Sequence, residues 1–178
     1  MTTFLGENFT PVTPNPDQIH IKDIAHALSL LCRANGHFIR FYSVAQHAIN
    51  CAQEAKARGL SPHVQLACLL HDASEAYLAD IVKPLKVHLP SYQVIENRLQ
   101  TMIYEKYLTK PLTDIEQGHI AQIDRVILLC EFKELMKKPV FDEVPDVMSK
   151  PSLEFRDFQT VEDEFLAVFE ETKRAQEY

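Results

Sequence analysis

The sequence has few of the features that mark β-sheet proteins and nucleic-acid-binding surfaces. It contains only four glycines and no tryptophan, and its hydrophobic residues do not alternate with polar ones over strand lengths. This pattern argues against a β-sheet protein. The net charge is −7 and no basic stripe is present, which argues against binding of duplex nucleic acid.

The sequence also lacks the segments that direct a protein to or across a membrane. Its longest apolar run, residues 126–130, is far shorter than a bilayer span. The first residues have neither the basic region nor the apolar region of a secretory signal. We therefore expect a soluble, cytoplasmic protein with no membrane partner.

The four cysteines show no Cys-x-x-Cys spacing, so neither a cysteine-based zinc site nor a redox motif is predicted. Each cysteine falls among small or aliphatic residues on a helical stripe, where a free thiol behaves as an apolar group. We expect all of them to be reduced core residues: Cys32, Cys51, Cys68 and Cys130. Six histidines share no common spacing and are predicted to be surface or locally hydrogen-bonded side chains: His20, His26, His37, His63, His88 and His119.

Hydrophobic residues at helical spacing are abundant, and helix-capping residues precede them. Because 46% of the residues are hydrophobic, the chain can bury one core of ordinary size in a single domain spanning residues 1–178. The sequence predicts an all-α domain, a bundle of about six helices. Capping signals mark three helix starts: Ser43 with Gln46, Ser61 with Pro62, and Thr113 with Glu116.

The predicted helices are separated by proline-containing segments. Residues 1–20 are predicted to form an extended arm, with a short strand near Phe4 and Phe9. Residues 138–159 contain three prolines and are predicted to be a long connection. The predicted helices are 22–34, 43–59, 61–78, 92–107, 113–136 and a last one capped by Thr160.

Four ionisable residues lie where the helical pattern calls for apolar ones. An apolar stripe that starts at Val64 continues at i+7 and i+8 onto His71 and Asp72. His47 and Asp124 interrupt two further apolar stripes in the same way. A buried carboxylate without a partner costs on the order of several kcal/mol, and a divalent cation supplies such a partner. We predict that these four residues bind one divalent metal ion.

A single histidine on an apolar face is more often a hydrogen-bonded core residue than a ligand, and one His-Asp pair is expected by chance. Four such residues on three separate helices favour the metal ion. The mixed nitrogen and oxygen ligands suit Mn²⁺, Fe²⁺, Co²⁺, Ni²⁺, Zn²⁺ or Mg²⁺, and the sequence does not choose among them. Four ligands would complete a tetrahedral site, whereas an octahedral ion would keep two positions open for water and phosphate.

The order His47, His71-Asp72, Asp124 resembles the HD superfamily of metal-dependent phosphohydrolases. The stretch from His71 to Asp80 is similar to that of bacterial 5′-deoxynucleotidases. The sequence around residues 40–47 and 80–86 resembles short prophage-associated HD proteins, and the resemblance extends over roughly residues 23–134. It implies an all-α HD domain that acts on nucleotides with a divalent metal, and it implies a homodimer.

Two further acids are candidate catalytic residues. Glu75 follows His71 by four residues and therefore shares the face of the ligands, so we assign it to orienting or deprotonating the attacking water. The alternative is that Glu75 holds a ligand imidazole. Asp80 comes at the end of the same predicted helix. The resemblance implies that Asp80 is catalytic, by positioning water, contacting the sugar or protonating the leaving oxygen.

Phosphate binding requires cations, and four lie close to the candidate ligands in sequence. Each has the alternative of being a solvated surface charge. The resembled deoxynucleotidases have an Arg-Trp pair before the first ligand, whereas here Arg33 is followed by Ala34, which leaves the sugar preference open. The candidate substrate-binding residues are Arg33, Lys83, Arg40 and Lys86.

We therefore expect a metal-dependent phosphohydrolase that releases phosphate from a (deoxy)nucleoside 5′-monophosphate. A deoxynucleoside triphosphate triphosphohydrolase is the nearest alternative, and hydrolysis of a guanosine polyphosphate is a further one. A nucleotide- or metal-sensing protein without catalysis is the alternative from another class. The spare acids Glu75 and Asp80 argue against such a sensor, because binding alone does not require them.

Overall fold

The predicted all-α fold is confirmed by the computed structural model, which describes residues 1–141 and 145–176. Within these residues no strand is formed, and the two β-bridges present are isolated. Among the described residues, six α-helices have nine residues or more, two α-helices are single turns, and two 3₁₀-helices span Pro16–Gln18 and Arg33–Gly36. The helices are α1 (Ile21–Leu30), α2 (Val44–Ala57), α3 (Pro62–Leu70), α4 (Glu75–Leu78), α5 (Lys83–Lys86), α6 (Pro90–Tyr107), α7 (Asp114–Leu135) and α8 (Phe158–Ala175).

Helix α2 is the centre of the bundle, and it packs against α1, α3, α7 and α8. All its residues from Val44 to Ala55 are buried except Gln53, which is half-buried. One apolar cluster joins α1, α2, α3, α6 and α8, and a second joins α2, α3 and α7. The three helices that carry the predicted ligands therefore meet directly.

The predicted capping boxes at Ser43 and Thr113 are both formed, and the Ser61 hydroxyl caps α3 as expected. The predicted cap at Thr160 is wrong, because α8 starts three residues earlier. Asp157 caps it by accepting a hydrogen bond from the Gln159 amide. An aspartate at this position both accepts the bond and complements the helix dipole.

The first predicted helix ends earlier than residue 34, because a loop closes after α1. Leu31 is extended, and Cys32 forms an isolated bridge with Ser43. The Arg33 amide donates to the Tyr42 carbonyl at 2.9 Å. Ala34 follows with φ +53, in the left-handed region that a non-glycine residue adopts only at a cost of about 1–2 kcal/mol. Arg33 is thus held in a closed loop rather than at a helix end.

The third predicted helix is interrupted at the candidate ligands. Helix α3 ends at Leu70, and residues 71–74 form turns before α4 begins. The amides of Ala73 and Glu75 donate to carbonyls three residues back, as in a 3₁₀-helix. His71 and Asp72 therefore lie in a tightened turn.

The N-terminal arm has no strand but is tied to the bundle. Thr2 and Asn8 form an isolated bridge, and the Leu5 amide donates to Asp23 Oδ1 at 2.7 Å. Phe9 is fully buried and stacks on Tyr77 with ring centroids 4.3 Å apart. The part of the chain that the structure describes contains no helix able to serve as a bilayer-spanning segment.

The predicted long connection between α7 and α8 is without helix in 138–141 and 145–157, and residues 142–144 lie outside the described residues. The second half of this connection is held by three side chains of α2 that are spaced four residues apart: Gln46, Asn50 and Glu54. They bond to backbone groups of residues 148–154, here called the strap, at 2.8–3.1 Å. The strap thereby covers the outer face of α2.

Changing Glu54 to glutamine is expected to lower the free energy of unfolding by about 1.5–3 kcal/mol, because one strap amide would lose its charged acceptor. Burial opposes the charged form, but hydrogen bonds from Ser149 and Met148 lower the pKa of Glu54. The stabilisation is therefore present above the ordinary glutamate pKa and is lost as the pH falls through the lowered pKa.

The free energy of unfolding and its pH dependence are measured by urea unfolding of the wild type and the variant. The measurement is made at neutral pH and at a pH below the pKa values of carboxyl groups. Glu171→Gln is the matched control, since Glu171 is exposed and pairs with Lys56 on the surface. A Glu54→Gln effect no larger than that of the control would contradict the account of the strap.

Candidate metal centre

The structure brings the four predicted ligands together at one point between α2, the turn after α3, and α7. His47 Nε2 lies 3.2 Å from His71 Nε2 and 3.1 Å from Asp124 Oδ1. Asp72 Oδ2 lies 3.3 Å from His71 Nε2 and 3.9 Å from His47 Nε2. His71 Nε2 and Asp124 Oδ1 are 3.7 Å apart.

Three of these separations, at 3.1–3.3 Å, match those of neighbouring ligands around one ion, and the other two are longer by a few tenths of an ångström. Two ligand atoms at about 2.1 Å from a metal lie roughly 3.0–3.5 Å apart when they occupy neighbouring octahedral or tetrahedral positions. His47 is fully buried, whereas Asp72 and Asp124 have 22% and 39% of their side chains exposed. The cluster is therefore closed on the His47 side and accessible on the carboxylate side.

Both imidazoles are oriented by acceptors on their other nitrogen. His47 Nδ1 donates to Glu131 Oε1 at 2.7 Å, and His71 Nδ1 donates to the Cys68 carbonyl at 2.7 Å. Since an ionised carboxylate and a carbonyl can only accept, the proton of each neutral ring lies on Nδ1. The Nε2 lone pairs then face each other, which is favourable only with a cation or an extra proton between them.

Glu131 is a functional candidate that the sequence reasoning missed. It lies on α7, two turns after Asp124, and is fully buried. It also accepts from Tyr42 Oη at 2.9 Å and from Arg33 Nε at 3.0 Å. The signal was present in the sequence, because Glu131 follows Asp124 by seven residues on the same buried stripe.

Arg33 lies at this cluster rather than on the surface, and only 8% of it is exposed. Besides Glu131 it approaches Asp72 at 3.3 Å and Asp124 at 3.9 Å. Three carboxylates thus surround one guanidinium, and two negative charges remain uncompensated if all are ionised. A divalent cation would neutralise these two charges.

The acid–base properties of the cluster agree with this charge balance. Burial opposes protonation of His71, but Asp72 and Asp124 outweigh it and raise the His71 pKa to about 9. Burial likewise disfavours the charged Asp124, yet hydrogen bonds to His47 and His71 hold its pKa far below the usual range. Protons thus take the place of a cation, and binding of a metal would release them.

A third type of donor lies beside the imidazoles. Cys51 Sγ is 3.5 Å from His47 Nε2, and both are within 4.8 Å of the nearest His71 ring nitrogen. His47, Cys51 and His71 form a group that could hold a metal ion. The residues present therefore fit a metal ion with nitrogen and oxygen ligands, and a thiol is within reach.

The two predicted catalytic acids lie on the Asp72 side of the cluster. Glu75 is 5% exposed, its Oε1 is 3.6 Å from Lys86 Nζ, and its buried Oε2 has no hydrogen-bond partner among residues 1–141 and 145–176. Burial, and then the charges of Asp72 and Asp80, raise the Glu75 pKa to about 10. A cation beside Asp72 would offset one of these charges, so metal binding would return Glu75 toward ionisation.

Asp80 is positioned by a strained residue. Ala79, which precedes it, has φ +74 and ψ +157, a conformation that is essentially confined to glycine. The Ala79 carbonyl accepts a hydrogen bond from Tyr92 Oη at 3.0 Å. Burial raises the Asp80 pKa, with Arg33 opposing and Asp72 contributing. The strain is located where a sharp turn presents Asp80 to the cluster.

The other predicted phosphate-binding cations are placed differently. Lys86 bonds Glu96 at 2.7 Å and approaches Glu75, so it is next to the candidate acids. Lys83 is exposed at the start of α5. Arg40 pairs with Glu154 of the strap. Arg33 and Lys86 are therefore the predicted cations that contact acids of the site.

A cavity of about 900 Å³ lies between α6 and α7, and His71 and Asp124 form part of its wall. Cavities of roughly 300–1,000 Å³ hold small organic ligands. Glu75 and Asp80 do not line it, so the cavity and the predicted acids approach the cluster from different sides. Its polar wall residues, which sequence reasoning missed, are Asn97, Gln100, Thr101, Tyr104, Thr109 and Gln117.

Gln100 connects the cavity wall to the ligand turn. Its amide nitrogen donates to the Leu70 carbonyl at 2.7 Å, and its amide oxygen accepts from the Ser74 amide at 3.1 Å. These two bonds bracket His71 and Asp72 on both sides. Gln100 is thus a positioning residue for two predicted ligands.

Gln100→Ala is expected to weaken binding of Mn²⁺ by about 10–100-fold, the usual effect of removing a partner that orients ligands. Titration of the metal-free protein with Mn²⁺ measures the change. Asn97→Ala is the control, because Asn97 is exposed on the same wall one turn earlier. Equal affinities in wild type and Gln100→Ala would show that the turn keeps its shape without this side chain.

The cysteines and the remaining histidines differ in burial and in their partners. All four thiols are free, as predicted, and Cys51 and Cys68 are buried. Cys32 and Cys130 are only half-buried, which differs from the prediction. Cys32 lies beyond the end of α1, which stops at Leu30. His26 pairs with Glu162, and His37 and His88 are exposed. His63 is buried with its Nδ1 3.3 Å from the Gln176 side chain.

No family model matches the chain. It is 40% identical over 134 residues to the uncharacterized protein YfdR of Escherichia coli K12, a match that covers 75% of this chain and 70% of YfdR. It is 34% identical over 108 residues to an uncharacterized protein of Rhodobacter capsulatus, of which it covers 55%. The identity and coverage of the first match show that the chain belongs to the same family as YfdR.

Proposed function

We propose that this protein is a divalent-metal-dependent phosphohydrolase of the HD superfamily that acts on nucleotides, with a (deoxy)nucleoside 5′-monophosphate as its substrate. The observation that carries the proposal is the convergence of His47, His71, Asp72 and Asp124. The two imidazoles lie 3.2 Å apart, each carboxylate lies 3.1–3.9 Å from both of them, and both rings are oriented through Nδ1. A bound ion would supply positive charge for a phosphoryl group and would acidify water.

The surrounding acids support hydrolysis rather than binding alone. In this reaction water attacks phosphorus, the ester P–O bond breaks, and the departing oxygen takes up a proton. The charge of Asp72 acts on both Glu75 and Asp80, and one of these two acids would accept a proton while the other donates one. Arg33 and Lys86 are the cations nearest to these acids and would contact the phosphate.

The cavity between α6 and α7 supports an organic substrate of nucleoside size. Apart from the candidate ligands His71 and Asp124, its wall carries one acidic and one basic residue, Glu105 and Lys110, so this part of the cavity suits an uncharged group. Its side-chain amides and hydroxyls can exchange hydrogen bonds with a base and a sugar. The phosphate would lie at the metal while the nucleoside occupies this cavity.

The test is release of inorganic phosphate from a panel of deoxynucleoside and ribonucleoside monophosphates and deoxynucleoside triphosphates, with Mn²⁺ or Co²⁺. We expect phosphate from at least one monophosphate and loss of the activity in chelator. Intact triphosphate from a deoxynucleoside triphosphate would replace this proposal by a triphosphohydrolase. Binding without turnover of any nucleotide would favour a sensor.

A further inference from the structure

The structure places a buried thiol within reach of the candidate metal ion. Cys51 follows His47 by one turn of α2, and 1% of it is exposed. Its Sγ is 3.5 Å from His47 Nε2, the separation of a sulfur and a nitrogen that bind one ion at about 2.3 and 2.1 Å. His71 completes a three-residue group whose ligand atoms all lie within 4.8 Å of one another.

We propose that Cys51 Sγ is a ligand for thiophilic divalent ions, so that the centre has two alternative ligand sets. His47 and His71 belong to both. Oxygen-preferring ions such as Mn²⁺ would use Asp72 and Asp124, whereas Cd²⁺ or Zn²⁺ would also recruit the thiolate of Cys51. This inference rests on the metal centre of the proposed function, but it does not depend on the reaction or its substrate.

The chemistry of the surroundings explains why the thiol discriminates between ions. Cys51 packs in the apolar cluster with Val64, Ala67 and Ile127, which disfavours an isolated thiolate. A thiophilic ion forms a bond to sulfur and the thiol proton is released to solvent, whereas Mn²⁺ gains little from this exchange. The neutral Cys51 thiol therefore does not prevent any divalent ion from binding at the centre, but it increases the affinity only for thiophilic ions.

Recruitment of Cys51 would also change the coordination available to a substrate. Two imidazoles, one thiolate and one carboxylate complete a tetrahedral ion, a geometry typical of structural zinc sites. An octahedral ion bound through His47, His71, Asp72 and Asp124 keeps positions for water and phosphate. A soft ion is therefore expected to occupy the centre tightly and to inhibit turnover with Mn²⁺.

The experiment is titration of the metal-free protein with Cd²⁺ and separately with Mn²⁺, followed by ultraviolet absorption. We expect Cd²⁺ to give a thiolate-to-metal charge-transfer band in wild type. In Cys51→Ser this band should be lost and Cd²⁺ affinity should fall at least tenfold, with Mn²⁺ affinity unchanged within a few-fold. Cys68→Ser is the matched control, because Cys68 is buried in the same cluster and should keep the band.

Three results would overturn the proposal: no charge-transfer band in wild type, a band that survives in Cys51→Ser, or equal weakening of both ions. Cys51→Ala is a second variant in case serine impairs folding. Alanine suits this environment, because Ala55 and Ala67 belong to the same buried apolar cluster. The Cd²⁺ charge-transfer band of the wild-type protein is measured without any substitution, so this outcome does not depend on the folding of a variant. Because no substrate is present, failure here leaves the phosphate-release test unaffected.

Discussion

Replacing Glu75 with glutamine is expected to lower kcat for phosphate release by about 10²–10⁴-fold while metal content stays the same. The glutamine has the same size but cannot exchange a proton with water or the leaving group. Glu75 is suited to such exchange because it is 5% exposed and its charge is disfavoured by burial, Asp72 and Asp80. Steady-state kinetics and metal analysis of the purified variant measure the two quantities.

The matched control is Glu96→Gln. Glu96 bonds Lys86 at 2.7 Å, and Lys86 also approaches Glu75 at 3.6 Å. Similar losses in both variants would mean that the acids act through Lys86 rather than on the reaction. If the activity of Glu75→Gln stays within a few-fold of wild type, Glu75 is structural and the assignment is wrong.

Replacing Glu131 with alanine is expected to lower the free energy of unfolding by about 3–5 kcal/mol, because Arg33 would remain buried without its closest carboxylate. The variant should also bind metal about 10–100-fold more weakly, since His47 Nδ1 would lose the acceptor that fixes its tautomer. Urea unfolding and Mn²⁺ titration measure the two effects separately.

Glu134→Ala is the control for this experiment, because Glu134 is exposed on α7 one turn after Glu131. A change of less than about 0.5 kcal/mol is expected there. Glu131→Gln should keep the Tyr42 and His47 contacts in part and fall between the two. If Glu131→Ala unfolds like wild type, the buried carboxylate does not hold Arg33 and His47.

The contacts of Arg33 change how the effects of an Arg33 variant are interpreted. Its guanidinium contacts Asp72 and Glu131, so an alanine variant would disturb the ligands as well as any phosphate contact. Arg33→Lys keeps the charge but loses the fork that spans two carboxylates. If Arg33 binds the phosphate directly, Arg33→Lys should lower the affinity for phosphate while the metal content stays unchanged.

Local signals in the sequence were sufficient to locate most of the helices and to name the four residues that meet at the cluster. The side chains of Ser43, Ser61 and Thr113 satisfy the first free amides of their helices, and this chemistry is confined to four residues. His47 and Asp124 were recognisable because a helix period fixes which positions face the interior. The distance between them is set by the packing of α2 against α7 through these stripes.

The features that sequence reasoning missed depend on contacts between distant residues. Helix α3 ends at Leu70 where Gln100, thirty residues away, bonds both sides of the ligand turn. Glu131 carried the same periodic signal as Asp124, but its partners Arg33 and His47 come from elsewhere in the chain. Neither pairing follows from the spacing within one helix.

The shared metal site is tested by measuring the metal content of the wild-type protein and of Asp72→Ala by elemental mass spectrometry after dialysis against Mn²⁺. We expect one divalent ion per wild-type chain and loss of that ion in the variant, because Asp72 Oδ2 lies 3.3 Å from His71 Nε2 in the cluster. Circular dichroism verifies that the variant is folded. A full equivalent of metal retained by folded Asp72→Ala would contradict the shared site.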